Sequence, residues 1–126
     1  MPAKTITFET VRNIGLALPD VEEGTAYGTP ALKVRSRMFA CLASHSSAEP
    51  GSLAIRISFE DRDELVAADP RTYYLTDHYV PYPVVLIRRR RVREDALRDL
   101  LLMAWRFVSA RGTRPARRPK GTRLRK

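Results

Sequence analysis

One face of one helix constrains the fold most. Leu97, Leu100, Leu101, Ala104, Trp105 and Val108 fall at i, i+3, i+4, i+7, i+8 and i+11, the spacing of a single apolar stripe along an α-helix. Glu94 and Asp95 stand just before it, where carboxylates complement the positive end of a helix dipole, so the helix is predicted to begin near Arg93 or Glu94. A stripe of this length has to be covered, and the segments upstream that can cover it read as strands. The residues Val84-Val85-Leu86-Ile87 form a β-branched run, and Leu53, Ile55, Ile57 and Phe59 alternate with Arg56 and Ser58. The helix is therefore predicted to pack on a sheet.

The rest of the pattern agrees with mixed α and β. Thr7 can cap a first helix with apolar positions at Phe8, Val11, Ile14, Gly15 and Leu18, ended by Pro19-Asp20. Val21-Glu22-Glu23-Gly24 reads as an acidic turn. Residues 25–28 and 31–35 read as short extended segments separated by Pro30, and Ser36-Arg37 reads as a hairpin turn into a strand over 38–43. Residues 44–52 contain Ser, Pro and Gly without periodicity and form a loop. The next strand is expected to run from Leu53 to Phe59. A short charged helix follows over 60–68, with Leu65 and Val66 inward and Asp69-Pro70 as its stop. The Val84 run is expected to continue as a strand through Arg88-Arg89-Arg90-Arg91. The order is helix, three or four strands, helix, one or two strands, helix, which predicts a two-layer α+β domain with an antiparallel sheet and its helices packed on one face.

A chain of 126 residues with 44% apolar content has room for one core. That core is assigned to residues 1–110, because 111–126 contain eight cations and no acid: Arg111, Arg114, Arg117, Arg118, Lys120, Arg123, Arg125 and Lys126. Removing these eight from the chain's 23 Lys and Arg leaves 15 against all 14 Asp and Glu. The body thus carries +1 and the tail +8. Leu124 is the tail's one large apolar side chain, so the segment cannot bury enough surface to fold and is expected to be disordered when free. Such an arm suits DNA or another polyanion, since each cation placed on a phosphate releases condensed counterions. Arg outnumbers Lys by 19 to 4, which a GC-rich genome also produces. No stretch is apolar enough to cross a bilayer, and the first residues lack an apolar leader core, so a cytoplasmic protein is expected.

Several blocks resemble the MmcQ/YjbR family. They are Leu18-Pro19-Asp20-Val21-Glu22-Glu23-Gly24, Tyr27-Gly28-Thr29-Pro30-Ala31, Phe39-Ala40, Ala68-Asp69-Pro70 with Tyr73-Tyr74, Thr76, His78-Tyr79 and Tyr82-Pro83, and Ala104-Trp105-Arg106. The likeness covers roughly residues 7–110. It implies a fold similar to type III secretion chaperones, and it carries the family's customary label of DNA-binding protein. Where relatives have an apolar residue followed by Arg-Leu before the last helix, this chain has Arg88-Arg89, and Arg93 replaces the usual acidic helix cap.

The cationic strand end is accordingly a second phosphate-contact candidate beside the tail. On a strand Arg88 and Arg90 would face one way and Arg89 and Arg91 the other; the alternative is a solvated strand end whose charges discourage edge pairing. Lys33, Arg35 and Arg37 alternate on the expected hairpin, which would place all three on one face. They form either a basic wing that joins Arg88 or Arg90 in one surface, or the ordinary polar face of a half-exposed sheet. The candidate nucleic-acid contacts are therefore Lys33, Arg35, Arg37, Arg88 and Arg90 of the body and Arg111, Arg114, Arg117, Arg118, Lys120 and Arg123 of the tail. No recognition helix stands out, so base-specific readout is not expected.

Catalysis finds little support. Cys41, His45 and His78 share no catalytic spacing, and neither zinc spacing, a phosphate-binding Gly loop nor a nucleophile elbow occurs, so neither an enzyme nor a cofactor or metal is expected. Cys41 between Ala40 and Leu42 reads as a buried, inert thiol, His45 as exposed, and His78 as a partner in a structural hydrogen bond. Tyr73, Tyr74, Tyr79 and Tyr82 can stack on unpaired bases, fill an interface or simply pack under a loop. Leu102, Met103 and Phe107 widen the apolar surface of the last helix, which makes a protein partner or homodimer the alternative function.

Overall fold

The computed structural model describes the backbone of residues 5–113 and the side chains of residues 5–110. The elements run α1 (Phe8–Leu16), β1 (Val21–Ala26), β2 (Thr29–Val34), β3 (Arg37–Leu42), β4 (Leu53–Arg56), α2 (Phe59–Ala68), β5 (Tyr73–Tyr74), β6 (Val84–Ile87) and α3 (Glu94–Thr113). The strands form one antiparallel sheet in the order β1-β2-β3-β4-β6-β5. Three helices on one face of an antiparallel sheet is the α+β architecture expected from the sequence. Of the expected tail, residues 111–113 continue α3, whereas Arg114, Arg117, Arg118, Lys120 and Arg123, and the side chain of Arg111, lie outside the described residues.

Local chemistry sets the helix starts. Thr7 Oγ1 accepts from the Thr10 N–H at 3.3 Å, and Ser58 Oγ accepts from the Asp61 N–H at 3.1 Å, each satisfying one orphan donor of a first turn. Because Ser58 caps α2, β4 ends at Arg56 and Phe59 is the first helical residue, so the strand is shorter than expected. The acidic stretch 21–24 is likewise a strand and not a turn. It pairs with β2 in a register that sets Glu22 opposite Lys33, and an edge strand with exposed carboxylates resists further pairing.

The helix-facing core contains Leu32, Val34, Phe39, Leu53, Ile55, Val85 and Ile87 from the sheet, Ile57 just after β4, and Val11, Leu97, Leu101, Ala104 and Val108 from α1 and α3, all almost fully buried. Gly15 lets α1 come close: a Cβ there would collide with Leu32 Cδ1 and lie 3.7 Å from Phe39 Cζ. Trp105 of α3 anchors the end of α1 by donating its indole N–H to the Pro19 carbonyl at 2.9 Å. In β3 the register passes from Ala40 to Met38 while β2 advances by one residue, so Phe39 is a bulge and both it and Ala40 reach the helix side.

The other face of the sheet carries no helix among the described residues. Ala31, Cys41, Ala54, Val84 and Leu86 point to it, covered in part by residues from the loops 43–52 and 75–83. No described helix is long and apolar enough to cross a membrane.

Candidate functional site

The arginine run after β6 is a turn, not a strand. Arg88 N–H donates to the Thr72 carbonyl at 2.9 Å and Arg91 N–H to the Arg88 carbonyl at 3.0 Å, so the expected alternation of Arg88 and Arg90 against Arg89 and Arg91 does not form. Two of the four hold the fold together. Arg88 binds the Glu49 carboxylate through Nε at 2.9 Å and Nη2 at 2.6 Å, donates from Nη1 to the Pro70 and Arg71 carbonyls, and stacks 4.2 Å from the Tyr74 ring centroid. Arg89 reaches back to the Gly51 carbonyl and, at 2.9 Å, to that of Ile6. The hydrogen bond from Arg88 holds the Glu49 carboxyl below the usual carboxylate range, and Glu49 in turn raises Arg88. Arg90 and Arg91 remain exposed. Arg88, Arg89 and Arg90 line a polar cleft of about 300 Å³ with Glu49, Pro50 and Gly51.

The second basic group does not share a face either. Arg35 and Ser36 form a two-residue hairpin turn with φ of 52° and 70°, one residue earlier than expected, and Val34 pairs with Arg37 across it. Arg35 thus leaves the strand and stands 3.6 Å from the Asp20 carboxylate. Lys33 lies on the open sheet face with its stem along Gly24, and Arg37 is exposed at the start of β3. Register places this turn at the end of the sheet where Arg56 pairs with Val84, whereas Arg88 follows Ile87 at the opposite end. Lys33, Arg35 and Arg37 therefore do not join Arg88 and Arg90 in one surface.

Opposite the helices the structure brings together residues that looked unrelated in sequence. Short side chains at Cys41, Ala43 and Ala54 leave a hollow of about 530 Å³ on the open sheet face. Its walls include Tyr27, Met38, His45, His78 and Tyr82, and Arg56 reaches into it from β4. His45 and His78 stack with ring centroids 3.5 Å apart and planes 8° from parallel, with Tyr79 edge-on to both. His78 is thus held by ring stacking and not by the expected hydrogen bond. The Ser47 N–H donates to His45 Nδ1 at 3.0 Å. Burial pushes the Cys41 thiol up to about 11, with the Arg56 charge opposing, so the floor is uncharged. Arg56 Nε is buried and has no hydrogen-bond partner. No local pattern marks these residues as neighbours, because the face that Cys41 and Ala54 share follows only from the bulge and the pairing.

Leu102, Met103 and Phe107 of α3 are half-buried around a groove with Asp61, Asp99 and Arg106, and Met103 and Phe107 also pack against the core. Among the described residues no group of three or more His, Cys, Asp or Glu is placed to hold a metal ion.

No curated protein matches the chain. A crystal structure of a Deinococcus radiodurans protein with the domain named DUF419 superposes with a TM-score of 0.72 at 23% identity, over 92% of this chain and 88% of that one. At that identity the likeness shows the fold, and it includes the arrangement of sheet and helices described above. The YjbR family model matches residues 16–107, which span every strand, α2 and most of α3. With model and fold in agreement, the chain belongs to the YjbR family.

Proposed function

We propose that the chain binds DNA or a similar polyanion through phosphate contacts and without base readout, with the cations of residues 111–126 as the main contact and Arg90 and Arg91 as the body's contribution. The observation that carries this reading is the segregation of charge, +8 in the last 16 residues against +1 in the first 110. Ion pairs within the body sharpen the contrast. Arg12, Arg35, Arg62, Arg88, Arg93 and Arg98 stand beside Glu9 and Glu23, Asp20, Asp63, Glu49, Asp95 and Glu94 respectively, so much of the body's positive charge is matched by its own acids. Lys33 and Arg37 sit at the far end of the sheet from Arg90 and are assigned no shared role.

Fluorescence anisotropy against a short duplex over a salt series tests the reading. Six engaged tail charges give a slope of log affinity on log salt of about −5. Replacing Arg114, Arg117, Arg118, Lys120 and Arg123 by Gln should flatten that slope to about −1 and weaken binding for every duplex sequence alike. Unchanged affinity and slope in the five-site variant would refute the assignment.

A further inference from the structure

We propose that the open face of the sheet binds a free small molecule that carries a planar aromatic ring and a single carboxylate. The hollow of about 530 Å³ lies within the range of ligand pockets, roughly 300–1,000 Å³. It exists because Cys41 and its cross-strand partner Ala54 are short, whereas the helix side of the same strands is filled by Phe39, Leu53 and Ile55. A flat ring fits such a floor.

Rings also stand at its rim. Tyr27 is 83% exposed and Tyr82 51% exposed, although both are large enough to bury. Tyr27 occupies a left-handed position, φ 55°, in the two-residue turn joining β1 and β2, where Asn or Gly is the unstrained choice. A bulky residue held in that conformation beside a cavity is a feature that packing of the fold does not require. The walls are fixed in advance: Ser47 and Thr76 hydroxyls meet at 2.8 Å, the His45 N–H donates to Tyr79 Oη at 3.3 Å, and Arg62 Nη1 donates to the Val80 and Tyr82 carbonyls.

Arg56 supplies the charge preference. Its Nε is buried without a partner, and the residue makes no ion pair with an acid among the described residues. Arg56 lines the hollow, and a guanidinium there favours a carboxylate over a neutral group. One cation above an uncharged floor calls for one negative charge and not for the two of a phosphate monoester. Among the described residues, the lining of the site includes neither Arg90 nor Arg91.

Isothermal titration of the full chain with 2-naphthoate tests the proposal, with 2-naphthylmethanol and cyclohexanecarboxylate as comparators that lack the charge or the aromatic ring. Naphthoate should give a saturable one-site isotherm, and each comparator should bind at least about tenfold more weakly, the effect of one charge-assisted bond or one stacked ring. Arg56→Gln should remove the advantage of naphthoate over the alcohol and leave the alcohol unchanged. Ala54→Leu should fill the hollow and abolish binding; Tyr82→Ala, at a half-exposed position that does not support the core, should weaken it with the fold intact by circular dichroism. Absence of saturable naphthoate binding, or equal binding by wild type and Arg56→Gln, would overturn the proposal. Displacement of naphthoate by single-stranded oligothymidylate, and not by free aromatic acids, would also overturn it by assigning the face to nucleic acid.

Discussion

The Arg62 side chain on α2 is only 8% exposed, and it holds the loop over the open sheet face. Its Nη1 donates to the Val80 carbonyl at 2.8 Å and the Tyr82 carbonyl at 2.9 Å, and its guanidinium lies 4.8 Å from the Phe59 ring centroid. A hydrogen bond from a charged donor contributes about 1.5–3 kcal/mol. The two bonds share one nitrogen and Val80 and Tyr82 are half exposed, so water can take over part of the loss and the second bond adds little. The Asp63 partner is 64% exposed and contributes nothing measurable, and the contact with the exposed Phe59 ring adds about 0.5 kcal/mol. Arg62→Met keeps the packing of the stem and should therefore cost about 2–3 kcal/mol, which for a domain of this size lowers Tm by about 10 °C. Urea unfolding followed by circular dichroism and by Trp105 fluorescence measures it. Arg62→Lys retains the charge and one donor and should recover about half. A loss below about 0.5 kcal/mol for Arg62→Met, outside the range for a buried charged donor, would show that the loop is held by other means.

Tyr27→Asn relieves the left-handed strain and should raise stability by about 0.5–1 kcal/mol in denaturant melts while weakening naphthoate binding; a loss of stability would show that the ring packs on the fold. Gly15→Ala improves helix propensity by about 1 kcal/mol but presses on the buried Leu32, an overpacking worth about 1–3 kcal/mol, so the net change should be destabilising and Leu32→Val in the same chain should relieve it. The Cys41 thiol, normally near 9.0, is raised to about 11 in the fold, so its contribution is complete below pH 9 and is lost as pH rises toward 11, by on the order of 2–3 kcal/mol. Cys41→Ala should remove that part of the alkaline slope, and native Cys41 should resist thiol reagents at pH 8; rapid labelling would refute its burial.

Periodicity carried most of the architecture. The stripe on α3, the cap at Thr7, the Val84–Ile87 run and the stop at Asp69 all reflect contacts within a few residues or one simple repeat, and each lies where the sequence placed it. Errors arose where a distant partner decided. Val21 and its neighbours are a strand because β2 lies beside them, and Arg88 leaves the strand because Glu49 and two carbonyls from residues 70 and 71 claim its guanidinium. The turn at Arg35 and Ser36 has positive φ at two residues that carry no Gly or Asn signal. The expected union of the two basic groups failed on strand order, which no local pattern encodes. For the same reason Arg56, Cys41 and the two histidines gave no sign of a common hollow.

The extra residue at Phe39 and the missing side chain at Gly15 meet on the helix side of the sheet. Met38 faces the open side and Ala40 the helices whether or not a residue lies between them, so the bulge inserts a ring beneath α1 and inverts none of its neighbours. That ring lies 3.7 Å from where a Cβ at Gly15 would stand, an ordinary contact, whereas Leu32 Cδ1 is the atom such a Cβ would strike. Leu32 of β2, beside the bulge, and Gly15 of α1 therefore form the steric unit, in which volume present on the sheet is volume withheld from the helix. A chain of this fold with a smaller residue at the Leu32 position should accommodate a larger one at the Gly15 position, so side-chain sizes at two sites far apart in the chain are expected to vary together.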